Sequence, residues 1–266
     1  MRIQRATHAQ KFAEAAHDKT TIPWTDRVPE ELHCFEDVFS EQAAHQFPTS
    51  KPWDHAIELL PNASPVLDCK VYPLSWDKQT AQDAFLKEHL DKNYIRPSKS
   101  PYAAPFFFIK KKDGRLRPVQ DYRRLNSWTR KNWYTLPLTS ELVNKVPGHT
   151  WYSTMDVRWG YNNVCIKDGD QWKAAFKTTR GLYEPNVMFF GLTNSPTTFQ
   201  TMMDDIFRSE VAEGWLLTYI DDILVFSDGS RSDHLEKVAR ILQKLRDNDL
   251  FLKLEKCHFL QEPSTI

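Results

Sequence analysis

The chain reads as an α+β protein, and three observations carry that reading. Several short β-prone runs are grouped in pairs around Asp-Gly or Asp-Asp steps, and three longer segments place apolar residues at helical spacing. Composition is the third: 266 residues, 41% apolar and 13% aromatic, provide a core for one large domain or two small ones and exclude disorder throughout. No uninterrupted apolar run is long enough to span a bilayer, so no membrane partner is expected. The opening MRIQRATHAQKFAEAAHD lacks the apolar core of a secretory signal. Cys34, Cys69, Cys165 and Cys257 lie far apart without a CxxC pair, which fits a reduced, intracellular protein. By the same token, the sequon at Asn62-Ala63-Ser64 is silent.

Taken in order, residues 1–74 read as a largely extended N-terminal lead-in. Five prolines between residues 48 and 73 suit a wrapping segment rather than a core element. Ser75 caps a helix whose apolar face is Trp76, Ala81, Phe85, Leu86 and Leu90, ending near Asn93. After an extended stretch from Pro97 to Pro105, the runs 106–110 and 116–122 flank Asp113-Gly114, the strongest short signal for a β-hairpin. A strand is expected over 151–157, a second hairpin over 164–176 around Lys167-Asp168-Gly169-Asp170, and a further strand over 182–189. Ser195 to Val211 reads as one helix with Phe199, Met202, Met203, Ile206 and Phe207 on one face. Two apolar runs over 215–226 are split by Asp221-Asp222; a helix follows over 232–250, and Phe251 to Leu254 begins a last strand.

Net charge is zero, yet the charges are unevenly placed. Between residues 110 and 131 nine basic side chains face only Asp113 and Asp121, so this stretch carries +7 and the remainder −7. Such a stretch is either a solvated basic hairpin or a surface for a polyanion. The acids are more selective. Asp221 and Asp222 interrupt an apolar, β-prone run, and a buried carboxylate costs several kcal/mol unless it is compensated. One reading is a tight turn with both acids in water; the other is a hairpin presenting them to a divalent cation, which prefers oxygen ligands. Asp156 ends another apolar strand and could share two metals with Asp221 if their strands are neighbours, the arrangement that serves in-line phosphoryl transfer. Asp204-Asp205, on a helix, reads as solvated surface, and Asp168 and Asp170 as turn residues. Neither GxGxxG nor GxxxxGK[ST] occurs, which speaks against dinucleotide or ATP binding.

Five segments in one order resemble the reverse transcriptase of gypsy-type LTR retrotransposons: SPYAAPFFFIKKKDGRLRPVQDYRRLN (100–126), MDVRWGYNNV (155–164), KAAFKTTRGLYEPNVMFFGLTNSPTTFQ (173–200), YIDD (219–222) and LKLEKCHF (252–259). The resemblance covers about residues 50–260. It implies the fingers and palm of a right-hand polymerase over 75–260: a fingers hairpin at about 105–125, and an antiparallel palm sheet backed by helices over about 150–260. It also implies RNA-directed DNA synthesis from dNTPs on an RNA or DNA template with a primer, using two Mg²⁺ ions.

Residue by residue, the resemblance makes Asp156, Asp221 and Asp222 the catalytic metal ligands and puts Tyr161 under the incoming sugar, where a ring excludes a 2′-hydroxyl. Lys111 and Arg117 would hold the triphosphate beside the backbone of Asp113 and Gly114. Phe190 and Gly191 would face the nascent base pair, and Lys256 would protonate the leaving pyrophosphate. Asn162-Asn163 stands where many relatives have glutamine. Such enzymes continue into a thumb, a connection and an RNase H domain, whereas residues 261–266 read as a truncated tail. The expectation is therefore a poor polymerase in isolation, located in the cytoplasm or in virus-like particles. The rival expectations are a decayed or domesticated nucleic-acid-binding remnant and an RNA-directed RNA polymerase; Tyr161 argues against the latter.

Overall fold

Two β-sheets organise the chain, and the acids stand at one end of the second. The structure, a computed structural model, describes residues 23–110, 114–134, 137 and 146–262. The first sheet has five strands in the order β1-β6-β5-β2-β3: β1 (Ile95–Pro97), β2 (Ala104–Lys110), β3 (Leu116–Gln120), β5 (Phe176–Thr178) and β6 (Gly181–Pro185). It is mixed, because β2 runs parallel to β5 while its other neighbours are antiparallel. The second sheet is antiparallel throughout, in the order β7-β8-β4-β9: β4 (Trp151–Asp156), β7 (Leu216–Tyr219), β8 (Asp222–Ser227) and β9 (His258–Gln261).

The side-chain period of two decides how the second sheet is used. Met155, Ile223, Val225 and Leu216 point into the main core, whereas Tyr152, Leu217 and Phe226 form a small apolar cluster of their own. Helices cover the core side. After the short α1 (Trp24–Arg27), these are α2 (Trp76–Asp91), α3 (Arg123–Trp128), α4 (Ser195–Ile206), α5 (Arg208–Ala212) and α6 (Arg231–Asp247). Helix α6 begins with a capping box: Ser230 Oγ accepts from Asp233 N–H, and the Asp233 carboxylate accepts from Ser230 N–H. One turn in, fully buried His234 bridges Ser153 Oγ of β4 (2.9 Å) and Ser227 Oγ of β8 (2.8 Å). Burial pushes its pKa down to about 4, so the ring is neutral at pH 7 and locks the helix to both strands by hydrogen bonds alone.

Four local expectations are corrected. The lead-in is not merely extended: Glu30–Phe39 forms two 3₁₀ pieces joined by a kink at Phe35, which pack on α6 and give Leu32, Phe35, Val38 and Phe39 to the core. The same lead-in displaces the hairpin expected over 164–176. Ile166 bridges His55, Cys165 bridges Val187, Gln171–Ala174 is a 3₁₀ turn, and Asp170 accepts from Ile57 N–H (2.7 Å) and from Lys173. The helix expected over 195–211 breaks at fully buried Phe207, since α4 and α5 share an apolar face across a one-residue interruption that periodicity does not register. Trp76, placed on the inner face of α2 by its spacing, is 79% exposed, whereas Phe85 and Leu86 are buried as expected.

Candidate active site

Asp156 is the last residue of β4 and lies directly opposite Asp222, the first residue of β8. Opposed residues of an antiparallel pair share a face, so two like charges stand side by side there. Asp221 occupies the two-residue β7–β8 turn, and its carbonyl accepts from Val157 N–H at 2.9 Å, which brings the turn against the end of β4. The expectation that Asp156 and Asp221 would be strand neighbours is thus refined: the cross-strand partner of Asp156 is Asp222.

The side chain of Asp221 is the anomaly of the site. Its Oδ1 is buried without a hydrogen-bond partner. Burial first, then the Asp156 and Asp222 charges, push its pKa up to about 6. Asp222 is shifted upward for the same reasons, burial and then Asp156, although it is more exposed. Lys256, in the 3₁₀ turn Leu254–Lys256, donates to Asp156 Oδ2 at 2.6 Å, and this bond holds the lysine pKa above its ordinary value. Among the described residues no three acidic, histidine or cysteine side chains stand together at ligand distance. The three acids nevertheless suit a divalent cation, because an orphaned buried oxygen beside two further carboxylates lacks only positive charge.

Two backbone irregularities flank that carboxylate. Trp159 (φ 50°) and Ile220 (φ 52°) both adopt the left-handed conformation, which is uncommon for bulky residues. Each sits next to the site, Trp159 before Gly160 and Ile220 before Asp221. A Cβ on Gly160 would lie 2.0 Å from Asp221 Oδ1, so only glycine leaves space for the acid. Ile220 is held by Gln200 of α4, whose Oε1 accepts from Ile220 N–H at 2.8 Å. Neither Gly160 nor Gln200 is legible as a site residue from sequence, because glycine and glutamine carry no charge and mark no periodicity.

The remaining expected residues fall into two groups. Tyr161, 7% exposed, packs on Phe190 (ring centroids 4.7 Å apart) and Phe199 (5.7 Å). Its pKa is pushed up to about 12 by burial and then by Asp221, so the phenol stays neutral. Phe190 is 67% exposed, and Gly191 (φ 96°) would meet Gln120 O at 3.4 Å if it carried a Cβ. Asn126 pins that loop, donating to Gly191 O (2.7 Å) and accepting from Thr193 N–H (3.0 Å). A cleft of about 460 Å³ lined by Thr154, Asp156, Leu217, Tyr219, Asp222 and Lys256 adjoins the acids.

Arg117 belongs to the second group. It is exposed on β3, opposite Ile109, in the hairpin whose other end at Gln120 meets Gly191. Gly114 (φ 81°) supplies the left-handed turn. Lys111 and Asp113 lie outside the described residues. Acids outside the basic stretch partly offset it, as Glu58 does for Arg130, while Arg123 pairs with Asp121 within it.

Comparison with known proteins gives a consistent picture. Residues 109–266 match the family described as "Reverse transcriptase (RNA-dependent DNA polymerase)". The Tf2-3 and Tf2-7 transposon polyproteins of Schizosaccharomyces pombe are each 34% identical over 235 residues, 88% of this chain and 17% of theirs. The chain thus spans about a sixth of the length of these relatives. Foamy viral protease-reverse transcriptase in complex with RNA/DNA hybrid superposes with a TM-score of 0.76 at 20% identity, over 98% of this chain and 35% of that one. The complex of the same viral enzyme with dsDNA gives 0.76 over 98% and 54%, again at 20% identity.

Proposed function

This chain belongs to the reverse transcriptase family, and on that footing we propose that it is the fingers and palm of an RNA-directed DNA polymerase from an LTR retrotransposon. The observation that carries the proposal is the convergence of Asp156, Asp221 and Asp222 at the end of one antiparallel sheet, with Asp221 Oδ1 buried and unpartnered. A fold that needed these residues only for stability would not keep mutually repelling carboxylates half-buried. Asp156, Asp221 and Asp222 would hold Mg²⁺, which when bound activates the primer 3′-hydroxyl and neutralises charge on the phosphates.

The chain's own residues divide the remaining work. Tyr161, rigid between Phe190 and Phe199, presents a flat ring that leaves no space for a 2′-hydroxyl and so favours dNTP. Exposed Phe190 and the Gly191 backbone offer an apolar, close-approach surface to the nascent base pair. Lys111 and Arg117 would bind the triphosphate, with the backbone of Asp113 and Gly114 beside it. Lys256, bonded to Asp156 at 2.6 Å, would release that carboxylate to the metal and become free to donate a proton to pyrophosphate. The template and primer, RNA or DNA, would be held chiefly through their phosphates. Thumb, connection and RNase H modules of a longer polyprotein would supply processive grip, and the product would act inside the cell, in the cytoplasm or in virus-like particles.

The test is addition of a single dNTP to oligo(dT) on poly(rA) by this chain in Mg²⁺, with Asp221→Asn as the control. Addition that depends on Asp221 is expected; addition that is absent, or unaffected by the substitution, overturns the proposal. Single-step addition is the proper readout, because long products also require contacts that grip the primer.

A further inference from the structure

Asp204, on sequence a solvated helix acid, does not behave as one. Its Oδ2 accepts from Tyr134 Oη at 2.6 Å, and its Oδ1 accepts from Gln200 Nε2 at 2.7 Å. Gln200 is fully buried, and its Oε1 accepts from Ile220 N–H at 2.8 Å. The amide also lies near Thr218 O (3.4 Å) and Thr218 Oγ1 (3.3 Å) on β7. An unbroken run of hydrogen bonds therefore links Tyr134, exposed on the surface, to the backbone of the residue before Asp221. The bond it ends on is the N–H of Ile220, a β-branched residue in the left-handed region (φ 52°). Such a conformation costs on its own and persists only where its surroundings over-determine it. The Asp204 carboxylate only accepts, so the Gln200 amide turns its Nε2 toward it and its Oε1 toward Ile220.

We infer that Gln200 is a positioning residue for catalysis: oriented by the Tyr134–Asp204 pair, it holds the Ile220-Asp221 turn in the strained geometry that aims the Asp221 carboxylate at the cation. The inference rests on the polymerase reading of the acids and extends it to residues that touch neither substrate nor metal. It also explains why α4 is built as it is. Its first turn follows the Phe190-Gly191 loop, and about one and a half turns on it grips the acidic hairpin through Gln200, so one element sets both walls of the site.

The test uses the full chain with two readouts, single-nucleotide addition and Mn²⁺ affinity by electron paramagnetic resonance. Gln200→Leu is expected to lower kcat roughly 10- to 100-fold, the range for a misplacement of about 1 Å, with dNTP KM and primer–template Kd unchanged and Mn²⁺ bound more weakly. Gln200→Glu sets two carboxylates against each other and is expected to lose as much. Combining it with Asp204→Asn restores the run: the new acid still accepts from Ile220 N–H, and the new amide donates to it while accepting from Tyr134. Recovery of both kcat and Mn²⁺ affinity in the double variant is a readout that general destabilisation would not give. Full activity and Mn²⁺ affinity in Gln200→Leu, or a double variant no better than Gln200→Glu, overturns the inference. Should Gln200→Leu fail to fold, Tyr134→Phe removes only the surface hydroxyl. It is expected to lower both readouts about five-fold, the worth of one hydrogen bond, and wild-type values there count against the relay. A wild-type chain that adds no nucleotide refutes the polymerase reading, while its Mn²⁺ affinity still decides the role of Gln200; a wild-type chain that binds no Mn²⁺ refutes both.

Discussion

Two hairpins carry the candidate site, and they hold their charges in opposite ways. The β2–β3 hairpin bears Arg117 in water, on a strand whose pairing with β2 runs from Phe106↔Gln120 to Lys110↔Leu116 without interruption. The β7–β8 hairpin bears Asp221 largely out of water, and its turn is braced by Gln200 from α4, by Val157 from β4 and by the space over Gly160. A solvated cation costs the fold little. Two half-buried anions opposed to a third repel, so the fold must spend packing elsewhere to keep them. Substitution of Arg117 is therefore expected to change binding alone, whereas substitution at the β7–β8 turn is expected to change catalysis and stability together.

The most severe way to test that contrast is Asp221→Asn, expected to lower kcat by at least about 10³-fold, in keeping with the several kcal/mol of charge stabilisation a bound metal supplies. Primer–template affinity, measured by fluorescence anisotropy, should remain, because it comes from cationic contacts to phosphates. Gly160→Ala comes next. Its Cβ would stand 2.0 Å from Asp221 Oδ1, so the acid must move: kcat should fall roughly 10- to 100-fold and stability by about 1–3 kcal/mol in urea titration. Equal activity in the alanine variant would mean that the turn is more pliant than its bracing implies.

Arg117→Ala should raise dNTP KM about 10-fold in single-nucleotide addition and leave the melting temperature alone, the signature of a solvated phosphate contact. A lowered melting temperature there would erase the contrast between the hairpins. The smallest effect is in stability without metal. Asp221 has a folded pKa of about 6 against 3.8 for the ordinary group, so between those values the fold binds the extra proton. Stability is accordingly lost as pH rises through that window, and the full penalty applies above it. In chelator, Asp221→Asn should match wild type near pH 4 and exceed it by about 1–2 kcal/mol at pH 7, a range discounted for partial exposure. Melting curves across pH check this; a variant less stable than wild type at pH 7 would show that the acid is compensated within the fold.

Several local and repeated features were legible in the sequence alone. The Asp113-Gly114 hairpin, the amphipathic faces of α4 and α6, and acids set in apolar runs are statements about neighbours in the chain, and each is realised. Five motifs in order identified the family, because spacing along a chain survives where packing cannot be read. Only the tertiary structure decided which groups meet. It set Asp222 rather than Asp221 opposite Asp156, because register depends on where a two-residue turn falls. The proline-rich lead-in became core, because its few apolar side chains found a sheet and α6 to pack on. Asp204 met Tyr134, Gln200 met Ile220, and Gly160 left space for Asp221, through contacts between residues 70, 20 and 61 positions apart. A hydrogen bond or an empty Cβ position costs nothing to write into a sequence and leaves no pattern there; its meaning exists only once a distant chain segment arrives to use it.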